Sequence, residues 1–111
     1  MTIMIARVWR GWASTVENAD LYQEFLRSNF LPSIRAIEGY RGARVLRRMV
    51  EGEVEFMTIT HFDSLDAIRR FAGDDCEAAH VAPRARELLS RFEARCQHFE
   101  LVVADTGRAA G

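Results

Sequence analysis

Ala43-Arg44-Val45-Leu46-Arg47-Arg48-Met49-Val50-Glu51-Gly52-Glu53-Val54-Glu55-Phe56-Met57-Thr58-Ile59-Thr60-His61-Phe62 reads as two extended runs joined by a turn. Glu51-Gly52-Glu53 is the hairpin signal, because glycine supplies the positive φ that a tight turn needs. Val54, Phe56, Thr58, Thr60 and Phe62 alternate with Glu55, Met57, Ile59 and His61, the period of a pleated strand. Residues 43–50 and 54–62 therefore pair antiparallel.

Outward from this hairpin the period changes to that of helices. On the C-terminal side Asp63 caps a helix in which Leu65, Ile68, Arg69 and Ala72 recur at helical spacing until Gly73-Asp74-Asp75. A short second piece continues through His80. Pro83 then opens a further helix carrying Ala85, Leu88, Leu89 and Phe92. Residues 95–104 read as a closing strand with Phe99, Leu101 and Val103 on one face, and residues 105–111 as a flexible tail without apolar period.

On the N-terminal side Gly39-Tyr40-Arg41-Gly42 breaks a helix that begins at about Thr15, where Ser14-Thr15-Val16-Glu17 matches a capping box. Tyr22, Phe25, Leu26, Asn29, Phe30 and Ile34 form its stripe, and Pro32 predicts a kink. Residues 3–12 read as a first strand, apolar on parts of both faces. The order β-α-β-β-α-β is the ferredoxin-like split motif, an α+β fold with an antiparallel sheet and helices on one face, here a single domain over residues 1–104. The second sheet face needs cover, and a second copy of the chain would provide it as a homodimer.

Composition narrows the function. The 111 residues carry 15 basic and 16 acidic side chains, a net charge of −1. No basic field is present for nucleic acid or an anionic membrane. Every basic residue is arginine, which with the alanine content fits a GC-rich bacterial genome. The apolar stretch at residues 3–6 is too short for a signal-peptide core, no run approaches the roughly 18 residues of a membrane span, and a cytoplasmic location is expected. Cys76 and Cys96 lack metal-site spacing and are expected as free thiols.

With the elements in order, Arg7-Val8-Trp9-Arg10-Gly11, Gly39-Tyr40-Arg41-Gly42, Phe62-Asp63-Ser64-Leu65, Ala79-His80 and the closing strand resemble the antibiotic biosynthesis monooxygenase superfamily. The resemblance covers about residues 3–103. It implies a dimeric α/β barrel and, in the characterised enzymes, oxygenation of electron-rich aromatic rings with no metal or flavin cofactor. It also extends to a haem-degrading branch, in which a histidine in a similar Ala-Ala-His setting ligates haem. This sequence keeps His80 there but has no asparagine on strand one, and Phe71 where that branch uses tryptophan.

Such an oxygenation needs an apolar pocket, a base and a donor for the oxyanion. His80 is the candidate base, since neutral imidazole accepts a phenolic proton near neutral pH. Asn29 is the second catalytic candidate: on an apolar stripe a buried amide needs a partner, whether a ligand or a carbonyl freed by Pro32. Trp9 and Arg7 share a strand face and suit a flat anionic aromatic, facing either the helices or a partner. Tyr22, His61 and Phe71 complete the substrate-binding set. Tyr22 also fits as core, and His61 as a neighbour of the Asp63 cap. The expected function is oxidation of a phenolic or polycyclic aromatic metabolite with dioxygen. The alternatives are a non-catalytic barrel binding a small hydrophobic ligand, and haem binding through His80.

Overall fold

In the computed structural model, which describes residues 4–105 and 107, β1 (Ile5–Ala13) is the centre of the sheet. It pairs antiparallel with β3 (Glu53–Phe62) along its full length, from Ile5 opposite Phe62 to Ala13 opposite Val54. β3 in turn pairs with β2 (Tyr40–Val50), and the hairpin turns at Glu51-Gly52, both at positive φ (50° and 83°). Two positive φ values in a two-residue loop match the right-handed twist of the strands they join. The other side of β1 is covered in two pieces, by β4 (Arg91–Phe92) at Gly11-Trp12 and by β5 (Gln97–Glu100) at residues 5–8. Taking β4 and β5 together, the order is that of a ferredoxin-like α+β sheet.

Helices cover one face. α1 (Val16–Phe25) starts at Thr15, whose hydroxyl accepts the Asn18 N–H at 3.0 Å, so the cap is one residue beyond Ser14. The kink expected at Pro32 takes the form of a π turn, Leu26–Phe30, before α2 (Leu31–Ile34). The Leu31 N–H reaches back five residues to the Leu26 carbonyl. A proline ring clashes with the carbonyl four residues earlier, and a wider turn relieves that clash. α3 (Leu65–Ala72) is capped by Ser64 and not by Asp63, because the Asp63 carboxylate is taken by the fork of Arg41 at 2.6 and 2.7 Å. The piece expected through His80 is turns and a single bridge, Ala78 opposite Arg95. α4 (Pro83–Leu88) stops before Phe92, since Leu89 is already extended and the Ser90 N–H donates to the Trp12 carbonyl at 2.7 Å.

The closing strand is shorter than residues 95–104 and is interrupted. Between β4 and β5 the chain leaves β1 and pairs with residues 77–79: Ala79 N–H donates to Ala94 O at 3.0 Å, and Cys96 N–H to Glu77 O at 2.6 Å. Thr106 and residues 108–111 of the expected tail lie outside the described residues.

Two apolar clusters form on the helix side. One joins α1 and α4 to the sheet through Tyr22, Leu26, Val54, Phe56 and Leu88, and the other joins α2 and α3 through Ile34, Phe62 and Ile68. Phe30 packs against both. The space between them is the site.

Candidate active site

A cavity of about 590 Å³, counted out to its open mouth, lies between the two clusters. Its floor is a patch of sheet in which β1 supplies Arg7 and Trp9 and β3 supplies Thr60 and Thr58, each threonine directly opposite its β1 neighbour. Cβ atoms of such pairs are about 5 Å apart. Phe25, Leu26 and Phe30 form one wall, Phe71 another, and the segment from Ala79 to Ala82 the rim. That rim is held by the split in the closing strand, because residues 94–96 bind the 77–79 backbone and not β1.

The structure brings together His80, Arg7, Trp9, Tyr22 and Phe71 around this one space. The open question of the Trp9 and Arg7 row is answered: it faces the helices. Trp9 is anchored by its indole N–H, which donates to the Glu93 carbonyl at 2.6 Å. Tyr22 is 1% exposed, its ring edge-on to Phe56, and burial drives its phenol well above the ordinary value, so it stays protonated. His80 sits on the rim with Nε2 2.5 Å from the carbonyl of Ala72, the last residue of α3. A carbonyl only accepts, so Nε2 carries the proton. In neutral His80 the free lone pair is therefore on Nδ1.

Two expected residues are elsewhere. Asn29 is exposed and lines no part of the cavity. The π turn adds a residue to the helical repeat, so the inward stripe passes from Leu26 to Phe30 and turns Asn29 outward. His61 is on the opposite face of the sheet, as its alternation with Thr60 and Phe62 requires, with Nδ1 buried and unpartnered. Burial, then the nearby Arg44 charge, lowers its proton affinity.

Thr58, Thr60, Cys96 and His98 were not foreseen. The alternation of β3 placed both threonines on one face, but not which face the helices cover. Thr58 Oγ1 is buried at the cavity floor beside the Tyr22 phenol. His98 faces Arg7 across the β1–β5 pair, with its Nε2 2.8 Å from a guanidinium nitrogen. Arginine only donates, so that imidazole nitrogen accepts and His98 is neutral.

Haem is the one cofactor the fold brings into question. Among the described residues the imidazole at the rim, that of His80, spends Nε2 on the Ala72 carbonyl, and His98 is occupied by Arg7. No cluster of three metal-binding side chains occurs among the described residues. A haem iron held by His80 would therefore have to be ligated through Nδ1, the nitrogen that the Ala72 carbonyl leaves free.

No family model and no curated protein matches the chain. Solved structures do match. The haem-degrading protein Rv3592 of Mycobacterium tuberculosis superposes with a TM-score of 0.61 at 18% identity, over 96% of this chain and 100% of that one. A dimeric ferredoxin-like protein from an uncultured marine organism gives 0.60 at 9% identity, over 93% and 99%. The monooxygenase ActVA-Orf6 of Streptomyces coelicolor, solved with nanaomycin D, gives 0.53 at 14% identity, over 98% and 94%. The chain shares the ferredoxin-like fold of these solved structures. No helix among the described residues is long and apolar enough to cross a membrane.

Proposed function

We propose that this chain is a small monooxygenase-like protein that binds a flat, largely apolar phenol in the cavity and oxidises it with dioxygen. The observation that carries the reading is His80. A cavity walled by Trp9, Phe25, Phe30 and Phe71 holds at its rim one imidazole, whose proton is fixed on Nε2 and whose Nδ1 is the free base. For an anthrone-type substrate, Nδ1 takes the proton of the enol form. The resulting anion gives one electron to dioxygen, and radical and superoxide combine as a C–O bond to a peroxide. Loss of water from that peroxide leaves the quinone, so one O₂ yields one carbonyl and one H₂O. Apolar walls favour this course by excluding the water that would otherwise solvate the anion.

The test is oxygen uptake by the purified protein with a panel of anthrones and dihydroxynaphthalenes. Saturable uptake with one O₂ consumed per quinone formed is expected, and His80→Ala should reduce kcat by about 10²-fold or more. Saturable binding without uptake would replace the reading with that of a ligand-binding barrel. A Soret shift on haem titration, lost in His80→Ala, would restore the haem alternative.

The same reading includes a homodimer formed through the helix-free face of the sheet. That face carries Val8, Met57 and Ile59, with Leu46 and Phe99 more than half exposed at 51% and 53%. Apolar side chains of this size in one patch mark an interaction surface. The unpartnered Nδ1 of His61 lies among them. A dimer, a cytoplasmic location and a single domain over residues 1–104 belong to this proposal.

A further inference from the structure

Many of the arginines nearer the surface are ion-paired, whereas the buried Arg7 is not. Arg10 meets Glu93, Arg41 meets Asp63, Arg91 meets Glu53 and Arg95 meets Asp75. Arg7, 4% exposed, makes no ion pair among the described residues. This inverts the usual arrangement, because charge removed from water normally sits beside an opposite charge. Arg7 donates instead to the carbonyls of Cys76 and Ala78, the latter at 3.0 Å, and to neutral His98 at 2.8 Å, while its guanidinium lies 5.7 Å from the centre of the Phe71 ring. These acceptors satisfy N–H groups and cancel no net charge. Glu77 is exposed, 3.7 Å from Arg95. At the floor of the cavity a permanent cation is therefore held in place, and Thr58, in the same floor patch, adds a buried hydroxyl beside the Tyr22 phenol.

From this we infer that the ligand of the cavity is an aromatic carboxylate. Its carboxylate meets Arg7 and the Thr58 hydroxyl, and its rings lie against Trp9 and Phe71. The inference rests on the cavity being the functional site and deepens the proposed function: the substrate carries a permanent anionic group besides the oxygen that reacts. One guanidinium and one hydroxyl among apolar walls suit a monoanion, whereas a phosphate dianion would require more donors. The carbonyls that hold Arg7, those of Cys76 and Ala78, lie in the stretch that leads directly into the rim, so ligand charge and rim position are linked through one side chain.

The probes are 2-naphthoate and its neutral isostere 2-naphthamide, neither of which has a phenol to oxidise. Binding is followed by tryptophan fluorescence and by the rise in Tm of the wild-type protein. The acid should bind at least tenfold tighter than the amide, and Thr58→Val should weaken the acid several-fold while leaving the amide within twofold. Arg7→Gln should bring acid and amide within twofold of each other. Should Arg7→Gln fail to fold, the wild-type acid-to-amide ratio and Thr58→Val decide alone. Equal affinity for acid and amide in the wild type overturns the inference, as does an acid preference that survives in folded Arg7→Gln. The two readings fail separately: naphthol oxidation without acid preference removes only this one, and acid preference without oxygen uptake on hydroxynaphthoates removes only the oxidase.

Discussion

His98 shows how a single side chain depends on its neighbours. Its imidazole is held neutral by burial first and by the adjacent Arg7 charge second, so its proton affinity lies below the ordinary value of 6.5. In the unfolded chain it regains that ordinary value. The stability tied to His98 is therefore complete above about pH 6.5 and is lost as pH falls from there toward the lowered folded value, because only the unfolded state takes up the proton. His61 shifts in the same direction. Thermal unfolding measured between about pH 7 and pH 5 should show Tm falling, with a shallower slope in His98→Gln. An unchanged slope would mean that folding leaves the proton affinity of His98 at its ordinary value. At this scale the sequence showed which residues have the chemistry, His80, Arg7, Trp9, Tyr22 and Phe71 among them. It could not show that Thr58 and His98 belong to the same site, because neither stands in a local pattern with them. They meet only across strand pairs.

Elements were legible where a local pattern had no competitor. The hairpin at Glu51-Gly52, the end of α3 at Gly73 and the break at Gly39 follow from turn chemistry and apolar period. The misreadings arose where a tertiary contact outweighed propensity. Asp63 lost the helix cap to Arg41, α4 ended early because Ser90 reaches Trp12, and the closing strand split because residues 94–96 found partners in residues 77–79. Asn29 was misplaced because a π turn offsets the helical period by one residue, and Pro32 signalled only that some distortion was needed there. Gly39 joins both levels. Its φ is +93°, and a Cβ there would lie 2.7 Å from that of Ala67 on α3. Gly39→Ala should cost at least about 2 kcal/mol, from left-handed backbone strain and overpacking together. The urea midpoint should fall accordingly, and an unchanged midpoint would show that the α2–β2 connection can move away from α3.

For the whole molecule the open question is the helix-free sheet face. Sedimentation at micromolar concentration should give twice the 12.7 kDa chain mass, and Phe99→Asp together with Leu46→Asp should halve it. A monomeric wild type would remove the dimer from the proposed function and leave the cavity untouched, since the cavity lies on the helix side of the sheet. The sequence by itself determined the broad element order, the place of the hairpin, the α+β class and the side chains able to do acid–base and aromatic chemistry. Those follow from periods and turn residues that act over a few positions along the chain. Only the tertiary structure decided which sheet face the helices cover, that a cavity opens between two apolar clusters, and that Arg7 is buried without an ion pair among the described residues while Asn29 faces solvent. The physical reason is that alternation along a strand divides its residues into two faces without saying which is inner. That choice is made by packing between elements distant in sequence, and with it the environment of every charged group is set.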